Sequence, residues 1–510
     1  MKTVRVLLSV LLLVILATAS LGEEAAMEQI YQSDFTAGED GWYPRSMGTA
    51  QLAAAPEGAM LITGRENDWN SPGRDFEMIP GLRYSFSVEV KQDEVDTASF
   101  MISIAHSAGG QESYENLGRG QAARGEWVTV NGAWMASTFD RYVLYVETTG
   151  APTLSFAFRN FTVLQEKADF EQEEIPSLSQ LYQDYFDFGT AVTRFEAQNK
   201  ARMDFYASQF NLMTPGNEMK PDSLIDVRAS RELAKEDQTQ VAVKFDDVTP
   251  LLNYARDNGI KLHGHVFVWH SQTPEAFFHE NYDPAKPLVS REIMLSRLEH
   301  FMAKTFAYVE ENYPGLFVSW DIVNEAIDDS TGKLRSSNWL KVVGEDYLLR
   351  AFELARRVAP EGLKLYYNDY NTAVPKKQDG IVKLLKELVA EGNIDGYGFQ
   401  MHHDIAYPTV SSIRASVERV AQLGLKLRVS ELDITIPNNT EAQLAKQAEE
   451  YGAILRLLLP YSGQLEAVQV WGVSDNLSWR ASGYPLLFDG SQQPKPAFWA
   501  VVDALEDKAP

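Results

Sequence analysis

The chain has 510 residues, more than one ordinary domain uses, so two or more folding units are expected. Hydrophobic residues make up 45% and charged residues 23%, a balance that builds globular cores. The net charge of −25 argues against a nucleic-acid partner held by neutralised phosphates, and the lack of any cysteine excludes disulfides and thiolate zinc sites.

Residues 1–22, MKTVRVLLSVLLLVILATASLG, set Lys2 and Arg5 ahead of an apolar run and then small residues. That pattern is a secretory signal peptide with Ala17-Thr18-Ala19 as a cleavage site. The competing reading is an uncleaved anchor, but the run is short for a membrane span. The expected location is therefore secreted or extracellular, with cell-surface attachment left open and no membrane contact after cleavage.

Residues 30–164 carry short alternating runs, among them AMLITG, RYSFSVEV, SFMISIAH, EWVTVNGAW, RYVLYVET and LSFAFRNFTV. Turn-forming residues separate them, which predicts an antiparallel, jelly-roll-like β-sandwich. Residues 165–176 are acidic, contain Pro176 and lack β pattern, so they read as a linker. From 177 to 508 the texture changes. Eight apolar, β-rich runs alternate with helical ones, which predicts a parallel sheet closed as a (β/α)8 TIM barrel.

In such barrels the chemistry sits at the C-terminal strand ends. Those ends are polar and aromatic here. Strand 2 ends at Asn217 and Lys220, strand 3 carries His265 and Trp269, and strand 4 ends at Asn324 and Glu325. Strand 5 ends at Asn368 and Tyr370, strand 6 at Gln400 and His402, strand 7 at Glu431 and Asp433, and strand 8 supplies Trp471 and then Trp479. Alone, an acid at a strand end reads equally as a helix cap or an ion-pair partner. Together, Glu325 and Glu431 face each other across the mouth. Glycoside cleavage needs such a pair, one protonating the leaving oxygen while the other attacks or activates water. Asn324 is placed to hold a sugar 2-hydroxyl. His263 and His270 read as packing groups, and Glu218, Asp328 and Asp329 as structural or solvated. The His265, His402 and His403 set could also be taken for metal ligands.

The segments TPGNEMKPDSL (214–224), LHGHVFVWHSQTP (262–274), WDIVNEAIDD (320–329), YYNDYNT (366–372), GYGFQMHH (396–403), VSELDI (429–434), VWGVSDNLSW (470–479) and PLLFDGSQQPKPAF (485–498) follow one family's order. In them the barrel resembles the family-10 glycoside hydrolases, the group of endo-β-1,4-xylanases. The resemblance implies a retaining enzyme with Glu325 as acid/base, Glu431 as nucleophile, His402 bonded to the nucleophile and Asp433 behind it. Asn217, Lys220, His265, Trp269, Asn324 and Gln400 would bind the glycone sugars, and Trp471 and Trp479 would close over the central subsites. Asn368 and Tyr370 would contact the aglycone. No cofactor is implied. The family commonly has Glu where Gly216 stands, so the grip on the second glycone sugar is in doubt. Competing readings are a β-1,4-glucan or mixed-linkage glucanase of the same fold, and a non-catalytic polysaccharide-binding protein.

Residues 30–164 resemble a family-22 carbohydrate-binding module in GWYPR (41–45), LITGRENDWNSPGRD (61–75), GEWVTVNGAW (125–134), YVE (145–147) and FRNFTV (158–163). The resemblance implies a xylan groove lined by Arg45, Trp69, Tyr114 and Glu147, and a structural calcium near Asp34 and Asn160. Trp42, Trp127 and Trp134 read as core. The implied partners are xylan and xylo-oligosaccharides, bound by a monomer. A tethered module would raise local substrate concentration, and removing it would leave activity on soluble substrate largely intact.

Overall fold

The structure is a computed structural model that describes residues 27–505 except 34, 36–37, 46–49, 80, 109–110, 137–140 and 168–173. The expected signal peptide and much of the expected linker lie outside the described residues. The N-terminal part is two antiparallel sheets. One runs Gln51–Ala55, Ala59–Thr63, Phe156–Glu166, Arg83–Lys91 and Val128–Met135, with Met27–Gln32 also paired to Phe156–Glu166. The other runs Tyr43–Pro44, Pro72–Phe76, Arg141–Thr149, Thr97–Ala108 and Gln111–Ala123.

Strand Arg83–Lys91 buries every second residue, so Tyr84, Phe86, Val88 and Val90 enter the core while their neighbours face outward. Phe100 meets Phe156 edge-on at 5.1 Å, and Trp42 packs on Phe158 at 5.0 Å. Trp42 is core as expected, and Trp134 is half-buried against it. Trp127 departs from expectation. It lies half-buried at the surface, donating to Glu57 at 2.8 Å beneath the Arg159 guanidinium. Strand Phe156–Glu166 also continues through Gln165 and Glu166, into the stretch read as linker, and both residues are buried.

The second part is the barrel. Its strands are β1 (Asp187–Val192), β2 (Leu212–Pro215), β3 (Lys261–Val268), β4 (Phe317–Asn324), β5 (Lys364–Asp369), β6 (Gly396–Phe399), β7 (Lys426–Thr435) and β8 (Leu465–Val470). All neighbours are parallel, and β8 closes on β1 with Asp187 opposite Ala467. Helices cover the outer face and side chains fill the inner one, so the strands are near-continuously buried. Helix Tyr347–Val358 shows the matching pattern, turning Leu348, Ala351, Phe352 and Ala355 inward. Ser290 accepts from the Ile293 amide to start helix Arg291–Asn312, and Gly392 at φ 71° ends helix Pro375–Glu391.

Tight packing between β3 and β4 fixes one glycine. A Cβ on Gly264 would lie 2.0 Å from the ring of Trp320, which is fully buried and stacked on Phe267 at 5.0 Å. Gly264→Ala is therefore expected to cost about 1–3 kcal/mol in urea unfolding. An unchanged midpoint would show that Trp320 yields without cost.

Candidate active site

A cavity of about 720 Å³ opens at the C-terminal ends of the barrel strands. Asn217, Lys220, His265, Trp269, Asn324, Glu325, Tyr370, Gln400, His402, Glu431, Trp471 and Trp479 all line it. Glu325 follows β4 directly and takes φ 55°, a left-handed conformation that non-glycine residues seldom adopt. Its carboxylate accepts from Trp269 Nε1 and Gln400 Nε2, both at 3.0 Å, and from Asn324 Nδ2 at 3.3 Å.

Glu431 lies inside β7 and is buried. It accepts from Asn368 Nδ2 at 2.6 Å, and His402 Nε2 lies 3.1 Å from its other oxygen. Burial alone would raise its pKa. The His402 hydrogen bond and the positive charge of His265 and His402 outweigh that and hold it below the ordinary value. His402 in turn sits 2.8 Å from Asp433. Burial disfavours its cation, but Asp433 and Glu431 raise its pKa to about 10. Asp433 is also held by Arg480 at 2.5 Å and Trp479 Nε1 at 3.0 Å.

An amide chain joins the two acids. Gln400 donates to both Glu325 and Asn324, and Asn368 donates to both Asn324 and Glu431. This corrects one expectation. Asn368 is fully buried beneath the carboxylates and accepts from Ser430, so it orients Glu431 instead of meeting an aglycone. Tyr370 does line the cavity, fixed by Arg335 at 2.9 Å and Asp329 at 2.5 Å.

Along the opposite wall, Lys220 donates to Asn217 and Gln272, both at 2.9 Å, with burial pulling its pKa down. Trp471 stands edge-on to His265 at 5.7 Å, and Trp479 edge-on to His402 at 5.0 Å. Trp479 is 66% exposed, a broad ring face open to the cavity. At Gly216 a Cβ would have ordinary contacts only, the nearest being Thr193 Cγ2 at 3.7 Å. Thr193 and Glu196 form the adjoining wall, and sequence reading missed them, as it did Gln272.

A deeper miss is Asp321. This buried carboxylate on β4 lies 2.8 Å from His265 Nδ1 and 3.0 Å from His263 Nε2. Burial pushes its pKa up, but the two imidazoles hold it well below the usual carboxylate range. His263, pushed to about 4 by burial and by the Arg428 charge, is a neutral core residue, as expected of a packing group. An acid inside the apolar run LFVSWDIVN was the available signal. Among the described residues, no group of three or more His, Asp or Glu is placed to hold a metal ion.

On the sandwich, a groove of about 610 Å³ brings together Arg45, Trp69, Tyr114 and Glu147, with Tyr43, Asn116, Arg141 and Tyr145 beside them. Trp69 and Tyr114 are 50% and 58% exposed, so neither is core. Arg45 lies over the Tyr145 ring at 3.6 Å and 5.9 Å from that of Tyr114. Glu147 is buried, which raises its pKa, and it accepts from Ser103 at 2.6 Å. Tyr145 sits two residues before Glu147 on the same strand face, a period-two signal that was legible. For the expected calcium, Asp34 lies outside the described residues. Asn160 is exposed at φ 51° where strand Phe156–Glu166 loses register, so the described residues do not assemble an acidic donor set there.

Known proteins resemble this chain in sequence and fold. An endo-1,4-beta-xylanase A of Thermoanaerobacterium saccharolyticum is 33% identical over 89% of this chain, and one of Thermotoga maritima is 29% identical over 94%. The chain spans only 39% and 46% of those proteins' own lengths. A crystal structure of the N-terminal CBM22-1 and GH10 modules of a Clostridium thermocellum endo-1,4-beta-D-xylanase, in complex with xylohexaose, superposes with a TM-score of 0.62. It is 27% identical, covering 93% of this chain and 97% of that one. A family model described as a carbohydrate binding domain matches residues 27–153. The model for glycosyl hydrolase family 10 matches residues 177–504, more than half of the sequence, and the chain belongs to that family.

Proposed function

We propose that this chain is a secreted, monomeric endo-β-1,4-xylanase that cleaves xylan with retention, and that its N-terminal module binds the same polymer. The observation that carries this reading is the unequal treatment of two acids in one cavity. Glu431 is kept anionic by a histidine cation at 3.1 Å, while Glu325 receives neutral donors, an indole N–H and amides. A charged carboxylate attacks the anomeric carbon, and the other acid protonates the leaving oxygen. The covalent glycosyl-enzyme then reacts with water, and Glu325, now deprotonated, takes the water's proton. Asn324 Nδ2, beside Glu325, is placed to donate to the sugar 2-hydroxyl as charge develops. Lys220, Asn217 and Gln272 meet the glycone hydroxyls, and Trp471 and Trp479 offer faces to the rings. The relatives' names as xylanases support xylan as the substrate over glucan. The basic, apolar start of the sequence supports export.

The roles are tested with an activated aryl xylobioside. Glu431→Ala is expected to abolish turnover, and added azide to yield no β-azide. Glu325→Ala should keep its glycosylation step on such a good leaving group, and azide should speed turnover and give the β-azide. Identical behaviour of the two variants would overturn the assignment.

His402→Gln removes the cation that holds Glu431 low. The acidic limb of the pH profile of kcat/KM should then move up by about 1 unit or more. The sign for stability follows from the raised pKa. The His402 cation contributes fully below about 6.5, its unfolded value, and that contribution is lost as pH rises through about 10. A limb that stays in place would remove His402 from the control of Glu431.

A Cβ at Gly216 meets only ordinary contacts, so Gly216→Glu is the substitution to test there. It should lower KM for the aryl xylobioside about threefold or more without changing kcat, by adding a charged hydrogen-bond partner for the second glycone sugar. An unchanged KM would mean that Asn217 and Glu196 already saturate that sugar.

A further inference from the structure

A buried ion pair joins the sandwich to the barrel. Glu166 ends strand Phe156–Glu166, and Arg202 lies on helix Lys200–Gln209, which follows β1. Their side chains are 2% and 0% exposed, with Nη2 2.7 Å from Oε1. Through Nη1 the same guanidinium donates to the carbonyl of Gly81 at 2.7 Å, and the second Glu166 oxygen accepts from the Arg83 amide at 3.0 Å. Gly81, at φ 79°, presses backbone against backbone. A Cβ there would lie 2.6 Å from Phe195 O and 2.8 Å from Asn199 Cβ.

The barrel side of this junction leads into the cavity. Tyr206 lies one turn beyond Arg202 on the same helix, and Gly81 presses on Phe195, the neighbour of Glu196. Tyr206 donates to Glu196 at 2.7 Å, and Glu196 accepts from the Thr193 amide and hydroxyl at 2.8 and 2.7 Å. Thr193 and Glu196 wall the cavity next to Gly216, the position where the family resemblance implies a Glu.

We infer that the N-terminal module is a fixed brace of the glycone wall, with Glu166 and Arg202 as positioning residues for the second glycone sugar. This rests on the proposed function for its sugar but not for its mechanics. Swinging the module away would break the ion pair and the Gly81 hydrogen bond together and open their buried seam to water. The junction is thus not that of a freely tethered module. Removing residues 30–165 would take away the Gly81 carbonyl that Arg202 bonds and nearly all of the strand that places Glu166, against the expectation of a neutral deletion.

The test uses the full chain and Glu166→Gln, which keeps the side-chain shape and removes the charge, with Arg202→Lys as the conservative partner. Calorimetry of the natural chain should give one unfolding transition, and Glu166→Gln should separate a module transition from a barrel transition. KM for an aryl xylobioside should rise about threefold or more in Glu166→Gln with kcat held. An aryl xyloside, which reaches no second glycone position, should change less than about twofold. Arg202→Lys should lie between Glu166→Gln and the natural chain in both readouts. Two separate transitions in the natural chain, or no change in melting and KM in Glu166→Gln, would overturn the brace. If no xyloside is cleaved but the single transition splits on substitution, the functional reading fails and the brace stands.

Discussion

Everything at the barrel mouth depends on keeping one buried carboxylate charged beside a second acid. Removing Glu431 from water favours its neutral form, and in its proposed role a neutral carboxyl would be a poor nucleophile. The structure answers with alternating charge: Arg480, Asp433, His402, Glu431. Each member makes the next one cheaper to ionise. Asp433 is tolerable in the interior because Arg480 and Trp479 Nε1 hold it, and its charge keeps the imidazolium that Glu431 needs. Trp479 therefore has two tasks, since the ring that walls the cavity also anchors the acid behind the histidine.

A second histidine–aspartate pair stands on the other side. Asp321 fixes the Nδ1 face of His265, leaving Nε2 for the cavity, and shares its charge with the imidazole of His263 below. Arg428, buried deeper, donates to Ser319, to His263 and to Gln469. Polar groups thus run through the barrel interior from its floor to the cavity. Such networks are costly unless satisfied, so they commit the inner side chains to one arrangement. That rigidity is what a site with two acids at a fixed separation requires.

The barrel was legible because each of its strands is covered on both faces and reads as one apolar run. The sandwich was half legible. Strand Gln111–Ala123, QESYENLGRGQAA, has little apolar alternation because its outer face carries Tyr114 and Asn116 into the solvated groove. Glu325 and Glu431 could be found as acids that end or interrupt apolar runs. Asn368 was placed at the right strand end but given the wrong neighbour, since nothing local tells an exposed amide from a covered one. Asp321, Arg428 and Arg480 were missed for a related reason. Their partners are set by the closed barrel, many residues away in sequence, so their pairing is a property of the tertiary fold.

Glu166 is the sharpest case. It opens the run EKADFEQEE, whose composition is that of a solvated linker. Glu166 is nevertheless withdrawn from water, held by Arg202 and the Arg83 amide. A linker that begins with a buried anchor has less reach than its length implies, so effective concentration is the wrong description of what the module gives the barrel. If the brace holds, its groove keeps one orientation to the cleft. Under the proposed brace, a polymer that fills both would follow a path set by the junction, and Arg202 would act on its binding twice, through that path and through the Tyr206–Glu196–Thr193 wall.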